Sequence, residues 1–219
     1  MLTIYGVTRS RASRIIWLCH EIGIPFKQVP VIQAYRLTDP DAADAALNTH
    51  SASFLKISPA GAIPVIQDGD LILSESLACT QYLARKYGQP FGPADAAEDA
   101  LMLQWSFYAC TTIEPDALTI LFLHRAGQLQ SGADQAAITH AAERLVRPLR
   151  LLDDHLARSG HMIGGRFTVA DINMAEVVRY AQSYGELIEE FPALQAWLAD
   201  CQARPAFQQM WKERLAEPE

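Results

Sequence analysis

Basic residues are in short supply. Eighteen Lys and Arg stand against 25 Asp and Glu, a formal net charge of -7. A general nucleic-acid binder would carry the opposite footprint, so nucleic acid is not an expected partner. Cysteine is scarce too. Cys19, Cys79, Cys110 and Cys201 make no C-x-x-C and no metal spacing. Three of them, Cys19, Cys79 and Cys201, sit inside apolar helical patterns, which predicts buried thiols in a reducing compartment and no disulfide framework. The six histidines are scattered without an H-E-x-x-H or similar pairing, so no metal site is expected. No apolar run is long enough to span a bilayer, and Met1 to Tyr5 leads into a strand pattern with no signal peptide before it. The expectation is a cytoplasmic protein without a membrane partner.

What is present is a globular composition: half of the 219 residues are hydrophobic, ample for one large or two small cores. Leu2 and Ile4 alternate with Thr3 and Tyr5, a short half-buried strand. Ile15, Leu18, Cys19 and Ile22 share a helical face, Gly23 ends that helix, and Pro25 follows. Phe26 to Val31 is predicted as a second strand, which makes a β-α-β unit with a parallel pair. Gln33 to Ser53 is polar and weakly periodic, a long loop with a short helix.

Ser58 to Leu77 reads as loop, strand, tight turn, strand and helix start. Pro64 precedes Val65-Ile66 and suits the beginning of a strand; its peptide bond is a candidate for the cis form. Asp68-Gly69 signals a hairpin turn, and Leu71 to Leu73 makes the return strand. Ser74-Glu75-Ser76 opens a helix, where capping and the helix dipole favour such residues. A strand start at Ile63 and a helix N-terminus at Glu75-Ser76 could together hold a peptide-like ligand carrying a carboxylate. The helix closes at Gly88. Residues 1–88 are therefore expected to form a βαβ-ββα, thioredoxin-like α/β domain without its C-x-x-C.

Gln89-Pro-Phe-Gly-Pro93 marks a linker, taken as 89–95, and 96–219 is expected to be an all-α domain. Helices are predicted over Glu98 to Thr112 and Asp116 to Gly127, broken or kinked at Glu114-Pro115. Another runs from Ala136 to Ser159, with Leu145, Leu149, Leu152 and Leu156 near one face and a kink at Pro148. Thr168 and Asp171 form a capping-box variant. Leu194, Trp197, Leu198 and Cys201 mark a further helix, and Phe207 and Trp211 belong to a last one beyond Arg204-Pro205.

Ile63-Pro64 followed by Glu75-Ser76, the capping box at Thr168 to Asp171, and their order along the chain resemble the glutathione transferase superfamily. The resemblance implies that Ile63, before a cis-Pro64, pairs its backbone with the cysteinyl part of glutathione, and that Glu75 and Ser76 hold the γ-glutamyl end. It implies that Asp171 serves folding. It further implies a homodimer, glutathione as co-substrate with no other cofactor, and a small hydrophobic electrophile as second substrate. The electrophile pocket is expected between the two domains, with Trp105 to Thr112 and the region of Trp211 as candidate linings.

Glutathione reacts as a thiolate, whereas a free thiol is mostly protonated at neutral pH. A hydroxyl can donate to the anion, aided by N–H groups at a helix N-terminus. Thr8 to Arg14 supplies both between strand and helix. In the family's serine-type classes the active serine precedes a helix-one arginine by four residues, a spacing kept by Ser10 and Arg14. That resemblance points to Ser10 as the catalytic hydroxyl and to a theta- or delta-like or bacterial class. Ser13, which could instead cap the helix, and Tyr5, which reads as an outward strand residue, remain alternatives. No cysteine lies between Met1 and Leu18, which disfavours the cysteine-type classes. The chain departs from the family at Ser58-Pro59 and Gly61-Ala62, so the glycyl carboxylate of glutathione is left to Lys56, His50 or a distant arginine. The function expected is transfer of glutathione to an electrophile; a glutathione-dependent isomerase, dehalogenase or disulfide reductase, and a non-catalytic binding protein, are the alternatives.

Overall fold

A computed structural model describes residues 1–125 and 132–217. The chain divides into two compact units, Met1–Gln89 together with the chain from Pro205 onward, and Pro90–Arg204.

In the first unit, β1 (Leu2–Tyr5) buries Leu2 and Ile4 as its alternation predicts. It runs parallel to β2 (Phe26–Val29) and antiparallel to β3 (Val65–Asp68), and β3 pairs with β4 (Leu71–Ser74) to give a sheet of order β2-β1-β3-β4. This is the expected thioredoxin-like βαβ-ββα arrangement. β2 stops two residues earlier than predicted because Pro30 has no N–H for the ladder. Val31 is still buried, and its carbonyl accepts from the Val7 N–H at 3.3 Å. The hairpin turn is Gly69-Asp70, one residue later than expected: Asp68 still pairs with Leu71, and Gly69 takes φ +63°.

Helix α1 (Ala12–Ile22) ends in a left-handed Gly23 whose N–H donates to the Cys19 carbonyl. Its residues from Ala12 to Cys19 are all buried, more than one amphipathic stripe would supply. The reason is that α1 meets α3 (Ser76–Tyr87), which follows the one-turn helix α2 (Ala52–Leu55) along the chain, and also the last helix, α10 (Pro205–Ala216). Trp17 packs edge-on against Phe207, with ring centroids 5.0 Å apart. So α10, expected with the helical domain over 96–219, packs in the first unit, because Phe207 and Met210 bury their side chains there.

In the second unit the elements among the described residues are helices. Helix α4 (Ala96–Tyr108) starts where Asp95 accepts the Glu98 N–H at 2.8 Å. The expected break at Glu114-Pro115 is absent. A π-helical turn, Ala109–Ile113, joins α4 to α5 (Glu114–Arg125), and its wider spacing comes just before the Pro115 ring. The predicted extension to Gly127 lies outside the described residues. Helix α6 (Gly132–Ser159) continues through Pro148 and buries Leu145, Leu149, Leu152 and Leu156.

Helix α7 (Val169–Val178) is buried on every side and forms the centre of this unit. The capping box at its start is present as predicted. The Asp171 carboxylate has no exposure and accepts from the Thr168 N–H at 2.8 Å and the Thr168 hydroxyl at 3.1 Å. Its other oxygen accepts from the Met162 N–H at 3.0 Å and Trp197 Nε1 at 2.9 Å. A 3-10 turn (Arg179–Ser183) and α8 (Gly185–Glu189), neither expected, lead to α9 (Pro192–Ala203). No helix among the described residues is long and apolar enough to cross a membrane.

Candidate functional site

The Ile63-Pro64 bond is cis, with Pro64 buried and Ile63 half-buried just before the β3 ladder begins at Val65. The loop leading into it is shaped by Ser58, whose hydroxyl donates to the Ala62 carbonyl at 3.0 Å. Gly6, at the end of β1, meets this loop from the other side. It has φ +141°, and a Cβ built there would stand 3.4 Å from Ile63 Cβ and 3.6 Å from Pro64 Cα. The backbone angle calls for glycine, while the distances are those of ordinary van der Waals contact between the two loops. Gly6 thus brings the β1–α1 loop, which carries Ser10, alongside Ile63-Pro64.

Behind these loops the Arg14 guanidinium, buried in α1, donates to Ser76 Oγ at 2.9 Å. This bond ties the start of α1 to the start of α3. Ser76 is buried and keeps its own hydroxyl proton for donation. Glu75 is exposed and has φ +67°, the one positive value among the described non-glycine residues. Such a conformation costs about 1–3 kcal/mol and is a marker of ligand clamps. The expected side-chain cap is not made by Glu75, so this helix N-terminus keeps its backbone N–H groups directed outward, while the Glu75 carboxylate stays in solvent.

Three hydroxyls were candidates to face the sulfur, and the structure places them differently. Ser13 is fully buried in the first turn of α1 and does not cap it. Tyr5 is half-buried, not outward: its ring lies 6.5 Å from Phe54 and its hydroxyl donates to Gln67 Oε1 at 3.1 Å. Packing against Phe54, Val31 and Val65 holds it there. Ser10 is half-exposed in the loop. Its Oγ accepts from the Ala12 N–H at 3.0 Å and donates to the Val7 carbonyl at 2.6 Å. To reach a ligand, its single proton must leave Val7, exchanging a neutral bond for a charge-assisted one that is roughly twice as strong.

A cleft of about 520 Å³ is lined by Asp41, Thr49, His50, Leu55 and the Pro59–Gly61 loop that leads to Ile63. His50 is in that lining and Lys56 is not. Asn48 shapes the cleft: its Oδ1 accepts the His50 N–H at 2.8 Å and its amide donates to the Pro40 and Ala46 carbonyls, each at 2.9 Å. Nothing in the sequence pattern marked Asn48. Burial pushes the Cys19 and Cys79 thiols up to about 12, so neither supplies a thiolate near neutral pH. Among the described residues no cluster of His, Cys, Asp or Glu is placed to hold a metal ion.

In the helical unit, Tyr108 and Thr112 line a cleft of about 870 Å³ between α4 and α6 together with Arg144, Arg147, Arg150 and Arg158. Burial raises the Tyr108 phenol, against the charge of Arg147. Trp105, another expected pocket residue, is buried against Tyr108 and His155, with centroids 5.7 and 4.9 Å away. Trp211 stacks on Phe207 in the first unit.

A thioredoxin-like sheet carrying this loop cluster, followed by a helical unit, defines a class of protein, and comparison with known proteins identifies it. The glutathione S-transferase N-terminal domain family matches residues 4–91, and the C-terminal domain family matches residues 135–200. "Glutathione S-transferase 3" of Zea mays is 32% identical over 216 residues, 94% of this chain and 91% of that protein. Glutathione transferase F7 from Populus trichocarpa superposes with a TM-score of 0.80 at 26% identity, over 98% of this chain and 99% of that one. A theta-class glutathione S-transferase from Xanthomonas axonopodis pv. citri, solved with glutathione bound, gives 0.75 at 27% identity over 95% of each chain. The chain belongs to the glutathione S-transferase family. Plant F enzymes and a theta-class enzyme both appear among these likenesses, so they do not single out the theta- or delta-like class expected from the sequence.

Proposed function

We propose that this chain binds glutathione at the Gly6, Ile63-Pro64 and Glu75-Ser76 cluster and transfers it, through the Ser10 hydroxyl, to a small hydrophobic electrophile. Conjugation of glutathione is the reaction of the family, and glutathione is a co-substrate, so the protein is a transferase. The observation that carries the site reading is the convergence of three elements: the Ser10 loop packed on Ile63-Pro64 through Gly6, and Arg14 of the same helix donating to Ser76. Ile63 offers backbone groups to the cysteinyl part. Ser76 and the α3 N-terminus, with Glu75 beside them, match the charged γ-glutamyl end. His50, which lines the adjoining cleft, suits the glycyl carboxylate better than Lys56, which does not. Ser10, half-exposed in the loop that Gly6 places beside Ile63-Pro64, stabilises the thiolate, which makes the enzyme serine-type. Absence of a reactive protein thiol beside Ser10 favours conjugation over disulfide reduction.

The protein works in the cytoplasm as a homodimer in this reading. Support for the dimer comes from exposed apolar side chains on α4 and α5, with Phe107 63% and Phe122 59% exposed. The test is calorimetric titration with glutathione, followed by an activity assay with an activated aryl chloride as probe electrophile. Saturable binding and glutathione-dependent loss of chloride are expected. No measurable glutathione binding would remove the proposal.

A further inference from the structure

The β1–α1 loop is held from a distance of two hundred residues. Glu217, just past α10, places its carboxylate on two successive backbone N–H groups: Oε1 accepts from Thr8 at 2.6 Å and Oε2 from Arg9 at 2.8 Å. Gln28 Nε2 reaches Oε1 at 3.3 Å and also donates to the Gly6 carbonyl at 2.9 Å and to Thr8 Oγ1 at 3.2 Å. Arg214, buried in α10, donates to the Thr8 carbonyl at 2.6 Å, and Arg9 Nε donates to the Arg214 carbonyl at 3.0 Å. Residues beyond a last helix ordinarily fray. Here a carboxylate bridges adjacent amides, a charge-assisted and geometrically specific contact.

We propose that Glu217, supported by Arg214, is a positioning residue for Ser10. The inference rests on the reading of Ser10 given above. Thr8 and Arg9 immediately precede Ser10, so the orientation of their peptides sets where the Ser10 side chain points. Inside the loop the Val7 carbonyl accepts from the Ser10 hydroxyl at 2.6 Å and from the Ser10 N–H at 3.1 Å. The first of these bonds is broken when the hydroxyl turns toward a sulfur. The external bonds from Glu217 and Arg214, on the two residues before Ser10, then reinforce the backbone bond that remains and keep the loop in register. Glu217 does not touch the reacting atoms; it acts through the backbone that carries Ser10.

The experiment compares the wild type with Glu217→Ala and Glu217→Gln by amide hydrogen exchange and by the ultraviolet thiolate absorbance of bound glutathione against pH. Exchange at Thr8 and Arg9 should quicken by about tenfold or more in Glu217→Ala, and by less in Glu217→Gln, which keeps one acceptor oxygen. The pKa of bound glutathione should rise and kcat should fall by about tenfold, while glutathione affinity changes by less than about threefold, since Ile63, Glu75 and Ser76 are untouched. Unchanged exchange at Thr8 and Arg9 would overturn the proposal. Faster exchange with an unmoved thiol pKa and kcat would overturn it too, leaving Glu217 as a structural tie. A wild type that forms no thiolate with glutathione would overturn the proposed function and the role of Ser10 with it, while exchange at Thr8 and Arg9 would still decide whether Glu217 holds the loop.

Discussion

Ser76 and Glu75 are adjacent but do different work. Ser76 is buried and bonded to Arg14, so its hydroxyl is fixed before any ligand arrives. Ser76→Ala should raise the Michaelis constant for glutathione with little change in turnover, the signature of lost uniform binding. An unchanged constant in steady-state kinetics would place the γ-glutamyl end elsewhere. Glu75 holds a strained backbone at φ +67°. Glu75→Gly should relieve that strain and raise stability by about 1 kcal/mol in chemical denaturation, while weakening glutathione binding. A destabilised Glu75→Gly protein would mean that the carboxylate contributes to folding and not to the ligand site.

Helix α7 shows how an element can be legible while its importance is not. The sequence marks the capping box by Thr168 and Asp171, and a cap alone would suggest a loss of about 0.5–2 kcal/mol on removal. The structure adds Met162 N–H and Trp197 Nε1 to the same carboxylate, from segments that no local pattern connects to it. Asp171→Ala would leave several buried donors without an acceptor, so unfolding experiments should show a loss of about 3 kcal/mol or more. A loss below about 1 kcal/mol would contradict this. His161 lies against the same carboxylate, with Nδ1 3.5 Å from Asp171 Oδ1, a charge contact with poor hydrogen-bond alignment. Its pKa is raised, first by the Asp171 carboxylate, against partial desolvation. The folded state therefore binds this proton more tightly than the unfolded chain. The stabilisation is complete below the ordinary histidine range, near ~6.5, and is lost as pH rises through the folded value. His161→Ala should flatten the pH dependence of stability in that window, as thermal denaturation across pH would show; an unchanged profile would remove His161 as its source.

For the whole molecule, the order of strands and helices was readable because periodicity, Gly23, Pro64 and the linker prolines act locally. The site was readable in part for the same reason: Ile63-Pro64 and Glu75-Ser76 are short motifs at strand and helix starts. Long-range packing escaped that reading. Nothing near Phe207 signals that α10 will close over α1, and nothing near Glu217 signals two loop amides waiting for it. Assembly also belongs to this scale. Phe107→Glu places a charge in the exposed apolar set on α4 and should convert the proposed dimer to monomer in sedimentation at micromolar concentration; a wild-type monomer under the same conditions would remove the proposed dimer.

Stabilisation of the glutathione thiolate by Ser10, as proposed, is read most directly from the ultraviolet absorbance of bound glutathione titrated with pH in wild type and Ser10→Ala. Thiolate is expected at neutral pH in the wild type. In Ser10→Ala the pKa of the bound thiol should move upward and conjugation should fall by roughly ten- to a thousandfold, the range expected for one donor to a developing or full anion. Glutathione should still bind. A Ser10→Ala protein with wild-type thiolate absorbance and rate, alongside loss of both in Tyr5→Phe or Ser13→Ala, would contradict it.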